Sequence, residues 1–303
     1  MTTPPDEWTS RLERRLSLRE AKFPVARPGW LQRWSGWPWG APEAREAPRA
    51  FVDKPGLFFV HFPKAGGTSF DRFLSSFFTQ EEILPFELRH RRVEEWPEET
   101  FRRYRYIRTL PPFLKVRRHR ESFHFVTLLR DPIQRLISYY WYLRDGYDPV
   151  LTVPGVADQQ LPHWNAARER SLAEWARFRP RGVSARRRGG AYPRNWMTRL
   201  LTSNGKVDRN DMYRITARLR RAKRILRDDF AFVGIVEEYA LSKELFCHTF
   251  GLPLHYAAGV ERFNTSSRSA ERSGIDPDTL NELQRDNACD IELYHYALEL
   301  FRE

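Results

Sequence analysis

Cysteine is scarce in this chain: Cys247 and Cys289 are its two thiols in 303 residues. Two cysteines so far apart make neither a disulfide framework nor a metal-ligand pattern. Both fall in half-apolar segments that read as helical, so buried free thiols in a reducing compartment are the expectation. Long apolar runs are missing too. No stretch of 18 or more apolar residues occurs, which argues against a transmembrane helix. The opening residues, Met1 to Trp8, lack the apolar centre of a secretory signal. Acidic residues are outnumbered, 39 against 51 basic ones, for a net charge of +12 carried mostly by arginine. That sign favours anionic partners: nucleotide phosphates, acidic glycans, nucleic acid or a membrane surface.

What is present centres on Leu57 to Phe78, L-F-F-V-H-F-P-K-A-G-G-T-S-F-D-R-F-L-S-S-F-F. The apolar run Leu57 to Val60 predicts a buried strand. Phe70, Phe73, Leu74, Phe77 and Phe78 recur at helical spacing and predict a helix. Between them lies a tight loop with Lys64, Ala65, Gly66, Gly67, Thr68 and Ser69. Backbone N–H groups at such a loop and in the first helical turn lack intrahelical partners and point one way, making an anion site. Lys64 adds a charge, and Thr68 and Ser69 add hydroxyl donors. The order is not that of a Walker A loop, in which lysine follows the glycines. A plain Gly-Gly turn remains an open alternative for this stretch taken alone.

The rest of the chain fits an α/β fold. Residues 1–50 read as an extension rich in tryptophan (Trp30, Trp34, Trp37, Trp39), either packed on the main domain or touching a membrane surface. Residues 51–303 read as the main domain. Residues 87–120 are dense in arginine and read mostly as a solvated face. Ser122 to Arg130 predicts a second buried strand. Pro132 then opens a helix carrying Ile133, Leu136, Ile137, Tyr140 and Trp141. A helix is expected from about Asn195, and another with an apolar stripe ending at Leu226. A strand is expected at Phe230 to Glu237, followed by a helix closed by Gly251. One long helix is expected after Asp276-Pro277.

A second anion site is expected where the second strand ends in L-R-D-P-I-Q-R-L-I-S. Arg130 at a strand's C-terminal end faces the crevice where open α/β sheets bind ligands, and Ser138 lies two turns into the next helix. Arg130 paired with Asp131 or another carboxylate is the alternative reading.

The two motifs together resemble those of the sulfotransferases, and most closely the carbohydrate enzymes of the heparan sulfate O-sulfotransferase type (sulfotransferase family 2) and their bacterial relatives. P-K-A-G-G-T-S is similar to that family's 5′-phosphosulfate loop, and L-R-D-P-x-x-R-x-x-S to its 3′-phosphate motif. S-Y-Y-W-Y-L-R, F-V-G-I-V-E-E-Y and the closing D-x-x-L-Y-x-x-A (Asp290 to Ala297) also look like that family. The resemblance runs from about residue 56 to the C-terminus.

The resemblance implies a P-loop-like three-layer fold with a mainly parallel central sheet flanked by helices. It implies 3′-phosphoadenosine 5′-phosphosulfate as donor, no metal, and a hydroxyl of a saccharide or glycoconjugate as acceptor, the arginines allowing for an acidic one. Lys64 would stabilise charge on the bridging oxygen of the leaving group. Lys64, Ala65, Gly66, Gly67, Thr68 and Ser69 would hold the 5′-phosphate, and Arg130 and Ser138 the 3′-phosphate. Arg262, in E-R-F-N, would be a further phosphate contact.

A general base is also required. In many members it is a histidine upstream of the second motif. A gapless alignment puts that region on Tyr104 to Phe113, which has no histidine. Tyr106 and Arg108 stand there as candidate acceptor contacts, and Glu87, His90, Glu94 and His119 are the candidates for the base. Competing readings are a P-loop kinase or nucleotidase, which predicts Mg²⁺-dependent ATP binding, and a non-enzymatic basic polyanion-binding module. Nucleic acid is not expected, because no aromatic–basic recognition motif is present. Without the membrane anchor of Golgi members, a soluble cytoplasmic enzyme is expected.

Overall fold

The computed structural model describes residues 56–85, 96–109, 112–146, 164–178, 194–203, 215–258 and 275–303. The tryptophan-rich extension, Glu87, His90, Glu94, Arg186 to Arg188 and Arg262 lie outside these residues.

Among the described residues four strands form one parallel sheet: β1 (Gly56–Val60), β2 (Tyr106–Thr109), β3 (Phe123–Leu129) and β4 (Phe230–Ile235), in the order β2-β1-β3-β4. Parallel strands need crossover connections, and these place helices on the sheet faces. β1 and most of β3 are accordingly buried on both sides, with Leu57 to Val60 of β1 inaccessible. Phe58 faces one layer, its ring 5.3 Å from Phe125, which packs on Phe113 at 5.1 Å. Phe59 faces the other layer, 5.5 Å from Phe70 of α1 (Gly67–Ser75). Helix α1 buries Phe70, Phe73 and Leu74 there.

Helix α2 (Pro132–Trp141) follows β3. Asp131 caps it, its carboxylate accepting from the Gln134 N–H at 2.8 Å. Pro132 sits at the first turn, where a missing N–H removes nothing. A π-turn, Tyr142–Gly146, widens the end of α2. Next come α3 (Trp196–Thr202) and α4 (Ile215–Asp229), the latter burying Leu219, Ala222, Ile225 and Leu226. After β4, α5 (Tyr239–Phe250) ends at Gly251 in the left-handed region, φ 66°.

Two expectations are corrected. The arginine-dense stretch hides a strand: Tyr106, Ile107 and Thr109 of β2 are buried, and the interleaved arginines are paired rather than simply solvated. Arg105 meets Glu82 at 3.1 Å and Arg108 meets Asp71 at 2.8 Å. The single long C-terminal helix is two, α6 (Pro277–Asp286) and α7 (Ala288–Arg302). They break at Asn287, whose backbone leaves the helical region (φ −120°, ψ 21°). The Asn287 side chain is buried, donating to the Leu283 carbonyl and accepting from the Asn195 N–H.

Helix α7 braces α3. Asp290 of α7 is fully buried and accepts from the N–H groups of Met197 and Thr198 at 2.9 and 2.8 Å, capping α3. Burial raises its pKa, while Arg135 of α2 favours its charged form. Arg135 in turn lies 4.9 Å over the Trp196 ring. Cys247 is buried and Cys289 half-buried, both free thiols. No helix among the described residues is long and apolar enough to cross a membrane.

Candidate active site

In the strand order β2-β1-β3-β4 the chain leaves β1 toward β2 and leaves β3 toward β4, in opposite directions across the sheet. The crevice outside the carboxyl ends of such a pair is where open α/β sheets take ligands. The Lys64 loop leaves β1 and Arg130 leaves β3, so both expected anion sites flank that crevice.

The Gly-Gly pair is closely packed at the head of α1. Gly66 is the N-cap of α1 with φ 66°, and a Cβ there would stand 3.2 Å from Leu128 and 3.3 Å from Val236. Gly67 has ordinary φ, but a Cβ would overlap His61, 1.8 Å from Nε2. His61 therefore packs its ring against the first residue of α1. The cap makes no side-chain hydrogen bond and the first turn carries no acidic residue. The N–H groups and the positive end of the helix dipole thus open onto the loop. Ser69 is buried and Thr68 half-buried.

Lys64 has φ 67°, in the left-handed region. A side chain held there costs on the order of 1–3 kcal/mol and marks a position fixed by its surroundings. Arg130 supplies one restraint, NH1 donating to the Lys64 carbonyl at 3.1 Å. The Lys64 ammonium lies 4.5 Å from the ring centroid of Tyr142. Burial first, and the Arg130 charge second, bring the Lys64 pKa down to about 8. Asp131 caps α2 with its carboxylate.

Behind the loop, Asp71 of α1 joins two residues of β2. Its Oδ1 accepts from the Tyr106 hydroxyl at 2.7 Å and its Oδ2 from Arg108 NH1 at 2.8 Å. Arg108 NH2 faces His61 Nδ1 at 3.4 Å. An arginine can only donate, so Nδ1 is the acceptor of this contact. Tyr106 is wholly inaccessible, so it reaches the site through Asp71. Arg108 keeps a small exposed fraction, 17% of its side chain. Ser138 is almost buried within α2.

His119 lies apart from this group. It precedes β3, near the strand start rather than the strand ends where the loop sits. It is buried, stacked 3.8 Å from the Phe101 ring, with Nδ1 on Glu98 at 2.5 Å and Nε2 accepting from Arg118.

The other family-like stretches converge here. Glu237, following β4, accepts from the Asp131 N–H through Oε1 at 3.2 Å and from the Tyr294 hydroxyl through Oε2 at 2.9 Å. One carboxylate thus ties β4, the head of α2 and α7 together. Asp71 and Tyr142 are the residues that sequence reasoning did not single out. The signal for Asp71 was a carboxylate beside the apolar face of the first helix. The signal for Tyr142 was its place in S-Y-Y-W-Y-L-R.

Comparison with known proteins bears on this arrangement. A family model described as "Sulfotransferase family" matches residues 50–297. The chain is also similar to heparan-sulfate 6-O-sulfotransferase 2 of Danio rerio, 27% identical over 220 residues, which are 63% of this chain and 42% of that protein. The chain therefore spans about two-fifths of the length of the curated relative it matches.

Proposed function

The chain belongs to the sulfotransferase family, and from that premise we propose that it transfers a sulfuryl group from 3′-phosphoadenosine 5′-phosphosulfate to a hydroxyl of a saccharide. The observation that carries the proposal is the pair of cationic sites across the β1/β3 crevice, joined through Lys64 and Arg130 at 3.1 Å.

The residues present suit such a donor. The loop brings backbone N–H groups together at the head of α1, where Gly66 and Gly67 allow close packing on Leu128, Val236 and His61. Arg130 and Ser138 stand on the neighbouring strand end and helix. The donor supplies an activated sulfuryl group whose departure leaves negative charge on a phosphate oxygen. The Lys64 ammonium meets that charge as it grows, stabilising the transition state more than the ground state. The N–H groups of Gly67, Thr68 and Ser69 and the Thr68 and Ser69 hydroxyls hold the 5′-phosphate. Arg130 and Ser138 hold the 3′-phosphate, and Arg262 adds a further contact. Arg108 borders the acceptor side. The base is drawn from Glu87, His90 and Glu94. Lysine ahead of the glycines favours a phosphosulfate over a triphosphate.

The acceptor class rests on the similarity to a heparan-sulfate enzyme, and the arginine excess suits an acidic glycan. Titration calorimetry tests the donor half. Adenosine 3′,5′-bisphosphate should bind without added metal, and ATP with Mg²⁺ should bind far more weakly. The reverse order would favour a kinase.

A further inference from the structure

Lys64 is restrained at both ends by one segment of chain. At its head, Arg130 donates to the Lys64 carbonyl. At its foot, Tyr142 opens the π-turn after α2 and lays its ring 4.5 Å from the Lys64 ammonium. Turns of this kind gather at functional sites, where they redirect side chains out of the helical register. Tyr142 is 38% exposed, whereas other tyrosines on this stretch are more enclosed, Tyr140 almost wholly so. A large aromatic ring is thus kept partly in water on the side where the lysine arrives. Tyr139, at 6.4 Å and 27°, stacks against it.

We infer that Tyr142 is a positioning residue for Lys64, its ring face seating the ammonium and keeping it charged between the two anion sites. The inference rests on the proposed role of Lys64 as the cation of sulfuryl transfer. Its physical basis is the negative face of the aromatic ring, which attracts a protonated amine and not a neutral one. Two influences act the other way at Lys64: burial, and the Arg130 charge from the end of β3. An amine desolvated beside another cation loses its proton at lower pH, and the ring opposes that loss. The seat also limits the rotamers of a four-carbon stem, so less ordering remains when the donor arrives. The hydroxyl has no part in this, so phenylalanine should serve.

The test uses the full chain as wild type, Tyr142→Phe, Tyr142→Leu and Tyr142→Met. The first readout is the pH dependence of Lys64 modification by an amine-reactive acylating reagent, followed by mass spectrometry. It needs neither donor nor acceptor. The midpoint should lie near 8 in the wild type, from the lowered Lys64 pKa, and Tyr142→Phe should match it. Tyr142→Leu and Tyr142→Met should titrate at lower pH. The second readout is turnover: kcat should fall about 2- to 30-fold in the leucine and methionine variants, the span of one cation–π contact. KM for the donor should stay close to wild type, and phenylalanine should restore kcat. Unmoved midpoints in both the leucine and methionine variants overturn the inference, as does a phenylalanine variant that behaves like leucine. Methionine, unbranched and adaptable, keeps the test alive if leucine prevents folding. A wild type that transfers no sulfate, with the midpoint shift intact, would overturn the proposed reaction and leave the seat standing.

Discussion

Arg130 reaches across from the end of β3 to donate a hydrogen bond to the backbone carbonyl of Lys64, 3.1 Å away. The contact joins the two cationic motifs, and it holds a lysine whose φ of 67° lies in the left-handed region. Removing Arg130 should therefore damage both sites. For Arg130→Ala, affinity for adenosine 3′,5′-bisphosphate should fall roughly 10- to 100-fold by calorimetry, the scale of one charged hydrogen bond. Arg130→Lys should recover only part, because an ammonium lacks the fork that can serve two oxygens.

Gly67 is required by a neighbour rather than by its own backbone. A Cβ there would stand 1.8 Å from His61 Nε2. Gly67→Ala should destabilise the chain by about 1–3 kcal/mol in urea unfolding, as overpacking does. The double variant with His61→Ala should recover part of that loss, and additive costs would refute the contact as its cause.

The Lys64 pKa gives the pH dependence a definite sign. With a value brought down to about 8 by burial and then by Arg130, the ammonium is charged below that pH and lost above it. The kcat/KM profile should therefore carry an alkaline limb near pH 8, falling about tenfold per unit. Removing the Arg130 charge takes away one of the two lowering influences. The limb of Arg130→Ala should accordingly move to higher pH.

Asp71 holds β2 against α1 through Tyr106 and Arg108. Asp71→Ala leaves the arginine charge without that partner in a mostly buried place, with side chains 17% and 10% exposed. Breaking such a pair costs about 3 kcal/mol, somewhat less where water reaches it. Tyr106→Phe should cost about 1 kcal/mol and leave the acceptor KM unchanged, since Tyr106 is inaccessible. An altered KM with unaltered stability would instead place Tyr106 against the acceptor.

Much of this site was legible in the sequence because its parts are local. A short apolar run, a glycine loop and a helical stripe lie within 22 consecutive residues, and each has its own periodicity. The Asp131-Pro132 helix start was equally plain, and the structure adds the capping bond to Gln134. What stayed hidden depends on partners distant in the chain. β2 reads as polar because Arg105 precedes it and Arg108 interrupts it, and their partners Glu82 and Asp71 lie 23 and 37 residues away. The break at Asn287 depends on Asn195, 92 residues upstream. His119 looked available as a base, yet tertiary packing closes it between Phe101, Glu98 and Arg118. Tyr142 could be read only as one aromatic among several until the fold laid Lys64 over it.

The most direct test of the central claim is transfer of labelled sulfate from 3′-phosphoadenosine 5′-phosphosulfate to a panel of saccharides, wild type beside Lys64→Ala. The wild type should label at least one saccharide. Lys64→Ala should lose about 10²- to 10³-fold in turnover, the scale of one electrostatic group at a developing charge, while still binding adenosine 3′,5′-bisphosphate. Undiminished transfer by Lys64→Ala, or a wild type that neither binds the nucleotide nor transfers sulfate to any saccharide, would contradict the account.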